Sequence, residues 1–152
     1  MATGMTEEEI AEVQVLTKLV MEFDTKQMDN FKIHWWKSNP HAQEFFTKFK
    51  GKNEAEMREM SIMTADGSRF FGTLYMLVKN LQYEDVLKDL LLYMKENHSK
   101  RNKNVTREIF DSFIESFLQY LKSSLGQKMT PVADSGFRNL LNHIGKEAGL
   151  YH

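Results

Sequence analysis

Apolar residues recur at the three- and four-residue spacing of an amphipathic helix from Ile10 to Ala148, and no alternating run lasts long enough to compete as a strand. Only two prolines and eight glycines interrupt the 152 residues. Both prolines stand where a helix can begin, at Asn39-Pro40 and Thr130-Pro131, since the first helical position has no use for the N–H that proline lacks. Such a chain is expected to be all-α. Its length is enough to bury about 68–70% of the unfolded surface in one core. Nothing reads as a linker, so residues 1–152 are expected to form a single domain.

The helix starts can be placed from side chains that bond to free backbone amides. Thr6 and Glu9 form a capping box ahead of Ile10, Val13, Leu16 and Val20. Phe23-Asp24-Thr25 reads as a break, and a second helix runs to about Lys37. After Pro40 come a short third helix and a corner ending near Lys52. Asn53 and Glu56 make a weaker start, after which Met60, Met63, Gly67, Phe70, Phe71, Leu74, Leu77, Val78 and Leu81 hold one stripe. Tyr83 to His98 carries Val86, Leu87, Leu90, Leu91 and Met94 on one side, and the polar, basic Ser99–Asn104 reads as a corner. Thr106 caps a helix with Ile109, Phe110, Phe113, Phe117, Leu118 and Leu121 inward. Pro131 opens the last, with Phe137, Leu140, Leu141, Ile144 and Ala148 inward. This gives seven or eight helices and no internal repeat.

Charge and composition remove several function classes. Twenty basic residues against twenty-one acidic ones leave a net charge of −1, which argues against nucleic acid or an anionic membrane as partner. The absence of cysteine excludes disulfides, thiolate catalysis and Cys-based zinc or iron–sulfur sites. No stretch approaches the roughly 18 apolar residues of a membrane span. The opening MATGMTEEEI has neither a basic start nor an apolar run, so no signal peptide and a cytoplasmic location are expected. There is no glycine-rich phosphate loop and no His-Glu-x-x-His. Of the five histidines, His34, His41, His98, His143 and His152, no two share metal-ligand spacing. By pattern alone His98, four residues beyond Met94 on the same face, is more readily a core residue than a ligand.

Its surroundings change that reading. From Pro40 the chain runs PHAQEFFTKFKGK. This resembles the corner of the globin family, in which a proline opens a short helix, a haem-stacking phenylalanine follows six residues on (Phe46) and another three later (Phe49). The Met60–Leu81 stripe resembles the family's distal helix, Gly67 being the residue that permits a close crossing. His98 falls where the proximal histidine stands, and the segments from Thr106 and Thr130-Pro131 resemble the last two long helices. The resemblance covers nearly the whole chain. It implies the globin fold, about eight helices around a haem pocket. It also implies haem b (iron protoporphyrin IX) with His98 on the iron, and Phe46, Phe49, Phe70, Met94 and Val105 against the porphyrin. Oxygen, carbon monoxide or nitric oxide would be the ligands, for storage, transport or sensing. Two other readings stand beside it. FFTKFKGKNEAEMREM also resembles, in layout, globins of dehaloperoxidase type, in which a group near the iron serves as general acid–base toward peroxide. A haem-free protein acting through its surface is the third reading, and the presence of both Phe46 and His98 argues against it.

The implied distal pocket comprises Lys32, Trp35, Phe46, Asp66, Arg69 and Phe70. Setting Leu74, Leu77 and Val78 on the family's apolar positions puts Phe70 over the iron. Asp66 then stands where most members carry histidine or glutamine; a register shifted by one would place Ala65 or Gly67 there. Counting back eight from Pro40 puts Lys32 at the second distal position. Trp35 and Trp36 read best as core packing. A carboxylate facing a ligand with partial negative charge is unfavourable, since two full charges 4 Å apart cost about 4 kcal/mol at an effective dielectric of 20. Asp66 is therefore expected to turn outward, to pair with Lys32 or Arg69, or to be protonated by burial. A solvated Asp66–Arg69 surface pair is the bland alternative. Lys32 either reaches the ligand or snorkels to the rim.

Overall fold

The computed structural model describes residues 3–98 and 105–152. These form eight α-helices and no strand: α1 (Glu7–Met21), α2 (Asp29–Ser38), α3 (Pro40–Gln43), α4 (Glu54–Glu59), α5 (Ser61–Lys79), α6 (Glu84–His98), α7 (Arg107–Leu125) and α8 (Pro131–Glu147). A 3₁₀ turn at Thr25–Met28 fills the break before α2, and another at Gly126–Lys128 follows α7. The corner expected at Ser99–Asn104 lies outside the described residues. Among the described residues, no helix is long and apolar enough to cross a membrane.

Several helix starts follow from their caps, those of α1, α4, α7 and α8 among them. The Thr6 hydroxyl accepts from the Glu9 amide at 3.1 Å, and the Glu9 carboxylate accepts from the Thr6 amide at 2.8 Å. That amide bond, joined by other side-chain donors, holds the Glu9 carboxyl below its ordinary 4.5. A carboxyl whose pKa is lowered on folding stabilises the fold above the unfolded value. Its contribution should be complete above pH 4.5 and should be lost as the pH falls through the lowered value. Thr6→Ala should cost about 1 kcal/mol in urea unfolding at neutral pH. Glu9→Gln should flatten the acid limb of the stability–pH curve, and an unchanged limb would contradict this assignment.

Asn53 is as complete a cap as Thr6: its side-chain oxygen accepts from the Glu56 amide at 2.8 Å, and the Glu56 carboxylate accepts from the Asn53 amide at 3.1 Å. The single stripe expected from there to Leu81 is in fact broken. Met60 takes an extended conformation (φ −85°, ψ 118°), which ends α4 and lets α5 begin at Ser61. Periodicity misses this because Met60 is apolar and correctly spaced on both sides of the break. Val86, expected inward, is 46% exposed. It sits at the edge of a narrow stripe whose buried residues are Leu87 and Leu91, with Leu90 and Met94 partly covered.

α1 lies across α8 and α5, α2 packs on α7 and α5, and α6 rests on α8. Gln14 reaches from α1 to the Val78 carbonyl at 3.1 Å, and the Trp35 indole donates from α2 to the Ser112 hydroxyl of α7 at 2.9 Å. Glycines mark the close helix contacts, the tightest being Gly145 and then Gly136, where a Cβ would meet Val13 at 2.8 Å. A Cβ on Gly67 would already touch Met28 at 3.6 Å, and one on Gly145 would strike the Phe110 ring at 2.3 Å. The core between α2, α5 and α7 is aromatic. Phe31 has the rings of Trp35, Phe70, Phe71, Phe113, Phe117 and Tyr120 around it, with centroids 5.2 to 6.4 Å away. Edge-to-face pairs dominate this cluster, the arrangement that ring quadrupoles favour.

Candidate functional site

His98 is the last residue of α6 and is half-buried. Its Nδ1 lies 3.0 Å from the Met94 carbonyl oxygen, one turn back. A carbonyl can only accept, so Nδ1 carries the proton and donates it, and Nε2 is left with the lone pair. An imidazole fixed in this way has the tautomer and orientation of a metal ligand. Among the described residues, no cluster of three or more His, Asp or Glu side chains could hold a bare ion. A metal on His98 would have to bring its remaining ligands with it, as a metallocofactor does.

The corner after α3 supplies flat apolar surface. Phe46 is partly buried, edge-on to Trp35 at 5.6 Å and tilted against Trp36 at 5.1 Å. Phe49 is 1% exposed and also touches Trp36, at 5.4 Å. Val105 is half-buried, and its carbonyl accepts from the His152 amide at 2.8 Å, which ties the chain end to the start of α7. Trp35 fills the core between Phe31, Phe46 and Phe113, as the packing reading expects. Phe70 belongs to the same aromatic cluster but is only partly buried, with Phe31 at 5.5 Å and Phe113 at 5.7 Å.

The charged residues do not form the surface arrangement. Lys32 is 9% exposed and lies with its ammonium 5.8 Å from the centre of the Phe49 ring, so it does not snorkel to the rim. Burial lowers its pKa from 10.5, while the charges of Asp66 and then Asp29 work in the opposite direction. Asp66 is half-buried on α5, and among the described residues it forms no ion pair with the exposed Arg69. The Asp66–Arg69 pair is therefore absent among the described residues, although a spacing of three on one helix would allow it; Asp66 instead acts on Lys32 through its charge. Asp29 was not legible as part of this group. It is 1% exposed, accepts from the Thr64 hydroxyl at 3.2 Å and has Lys26 at 4.0 Å. Its spacing of three from Lys32 on one helix was the available signal.

A family model described as Globin matches residues 30–148. Globin CTT-W of Chironomus thummi piger is 31% identical over 91 residues, which cover 58% of this chain and 56% of that protein, so the chain matches just over half the length of this relative. A globin of Nerita albicilla is 22% identical over 74% of this chain and 71% of its own length. The solved structure of haemoglobin from the botfly Gasterophilus intestinalis superimposes with a TM-score of 0.84, covering 95% of this chain and 97% of that one at 16% identity.

Proposed function

The chain belongs to the globin family and has its fold, and from that premise we propose that it holds haem b through His98 and binds oxygen or a related diatomic ligand reversibly. The observation that carries this is the His98–Met94 bond, which leaves Nε2 as the one imidazole nitrogen able to bind a metal. A single such ligand suits iron already held by a porphyrin. Phe46 and Phe49 would give the ring its apolar contacts, with Met94 and Val105 near His98. When bound, the haem would supply the metal's affinity for a diatomic gas; the chain would supply orientation, exclusion of water and the polarity of the opposite side.

Phe70, with Phe31 behind it, narrows that opposite side. A packed interior has little slack, so Phe70→Val should raise the association rates of both oxygen and carbon monoxide in flash photolysis. Unchanged rates for both would remove Phe70 from the ligand's path. The reading itself is tested by titrating the purified protein with haem. One haem per chain is expected, with a spectrum that shifts completely under carbon monoxide. Binding without a fixed stoichiometry would contradict it.

A further inference from the structure

We infer that the outer face of α6 docks a second copy of this chain, which brings its basic corner between α3 and α4 against it. Of the six large apolar side chains left exposed among the described residues, three gather here: Tyr83, Val86 and Tyr93, at 61%, 46% and 61%. Tyr83 stands at the head of α6, its carbonyl accepting from the Leu87 amide at 2.9 Å. Val86, the half-buried Leu90 and Tyr93 follow at intervals of four and three residues, so they form one ridge. Leu87 and Leu91 are the residues that α6 buries in the core, which leaves Tyr83, Val86 and Tyr93 without a use in the fold. Apolar side chains scattered singly on a surface need no explanation, whereas a row that includes two tyrosines has the composition of a protein contact.

The charges beside the ridge select the occupant. Asp89 lies three residues after Val86 and four before Tyr93, with Asp85 one turn earlier. Both are exposed, and neither enters an ion pair among the described residues. Two such ridges laid antiparallel about a two-fold axis would set this acidic flank against its own copy, which is repulsive. The complementary surface lies on the corner after α3. Lys48, Lys50 and Lys52 are exposed there, no acid stands between Lys48 and Asn53, and none of the three lysines enters an ion pair among the described residues. The half-buried Phe45, edge-on to His41 at 5.5 Å, adds a ring beside them. A net charge of −1 leaves little overall repulsion between whole chains. Unlike surfaces meet in this contact, so each pair keeps one free α6 face and one free corner, and assembly runs on past the dimer.

The test is sedimentation velocity of the purified full chain over a range of concentrations, at low salt and at about 1 M salt, where the Debye length falls to roughly 3 Å. At low salt the average mass should rise with concentration beyond two chains, and high salt should reduce it. Asp85→Lys/Asp89→Lys and, separately, Lys50→Glu/Lys52→Glu should each stay monomeric where the unaltered chain associates. An equimolar mixture of the two should associate again, because each then meets the charge that its own kind lacks. Tyr93→Ser should weaken association about tenfold, as truncation of a contact tyrosine does. All five side chains are exposed, so the variants should fold, and circular dichroism checks that they do. A chain that is monomeric at every concentration in low salt, a strict dimer, association indifferent to salt, association retained by Lys50→Glu/Lys52→Glu, or a mixture that stays monomeric would overturn the inference. Each of these results leaves the haem-binding reading standing, since haem uptake is read separately at the Soret band.

Discussion

His98→Ala should leave the protein folded but unable to retain haem through gel filtration. The half-buried ring at the end of α6 makes one backbone bond, to Met94, so its removal costs the fold little. It would, however, delete the one imidazole nitrogen that the proposed site offers the iron. Loss of a metal's sole strong protein ligand is not offset by apolar contacts from Phe46 and Phe49 alone. Free imidazole, entering the space left by the ring, should restore part of the haem spectrum. Undiminished haem content in His98→Ala would reduce His98 to a helix-terminal residue and remove the basis of the site.

Phe31→Ala should be the most damaging single substitution for stability, at about 3–5 kcal/mol. Phe31 is 2% exposed and meets six aromatic rings from α2, α5 and α7, so the void would lie where three helices converge. Rings are poor at collapsing into a cavity because each is already held by several others. Against a total stability of roughly 5–15 kcal/mol for a domain, the urea midpoint should fall sharply. Phe31→Leu, which keeps most of the volume, should cost less than about 1.5 kcal/mol. Similar midpoints for the two variants would mean that the cluster relaxes and that its ring geometry has little weight.

What could be read from the chain alone divides along a physical line. Features set by neighbours in sequence were legible. Thr6, Thr106 and Thr130 start helices where expected because each cap bonds to an amide three residues on, and Pro40 starts α3 because proline suits a first helical position, Asn39 making no side-chain cap bond. Gly67, singled out as the crossing residue of the distal helix, does meet Met28. Features set by tertiary surroundings were not legible. The extended Met60 interrupts a stripe without disturbing its spacing. The resemblance placed Lys32 at a distal position but left open whether its ammonium reaches the rim, and the packing of Phe49 beside it decides that it does not. Asp29, buried and bonded by Thr64 of α5, looks from the sequence like one more acid in the first turn of a helix. The charges around Lys32 are thus the part of the site that the fold, rather than local pattern, brings together.

The central claim is that His98 is the one protein ligand of a haem. It is tested most directly by the visible spectrum of the haem-loaded protein, reduced, without and then with carbon monoxide. Lys32 is a poor competitor while its ammonium is protonated, and Asp66 is a poor donor to ferrous iron. The account predicts a five-coordinate, high-spin ferrous spectrum that converts fully to the carbon monoxide form. A six-coordinate, low-spin ferrous spectrum before any ligand is added, or no haem uptake at all, would contradict it.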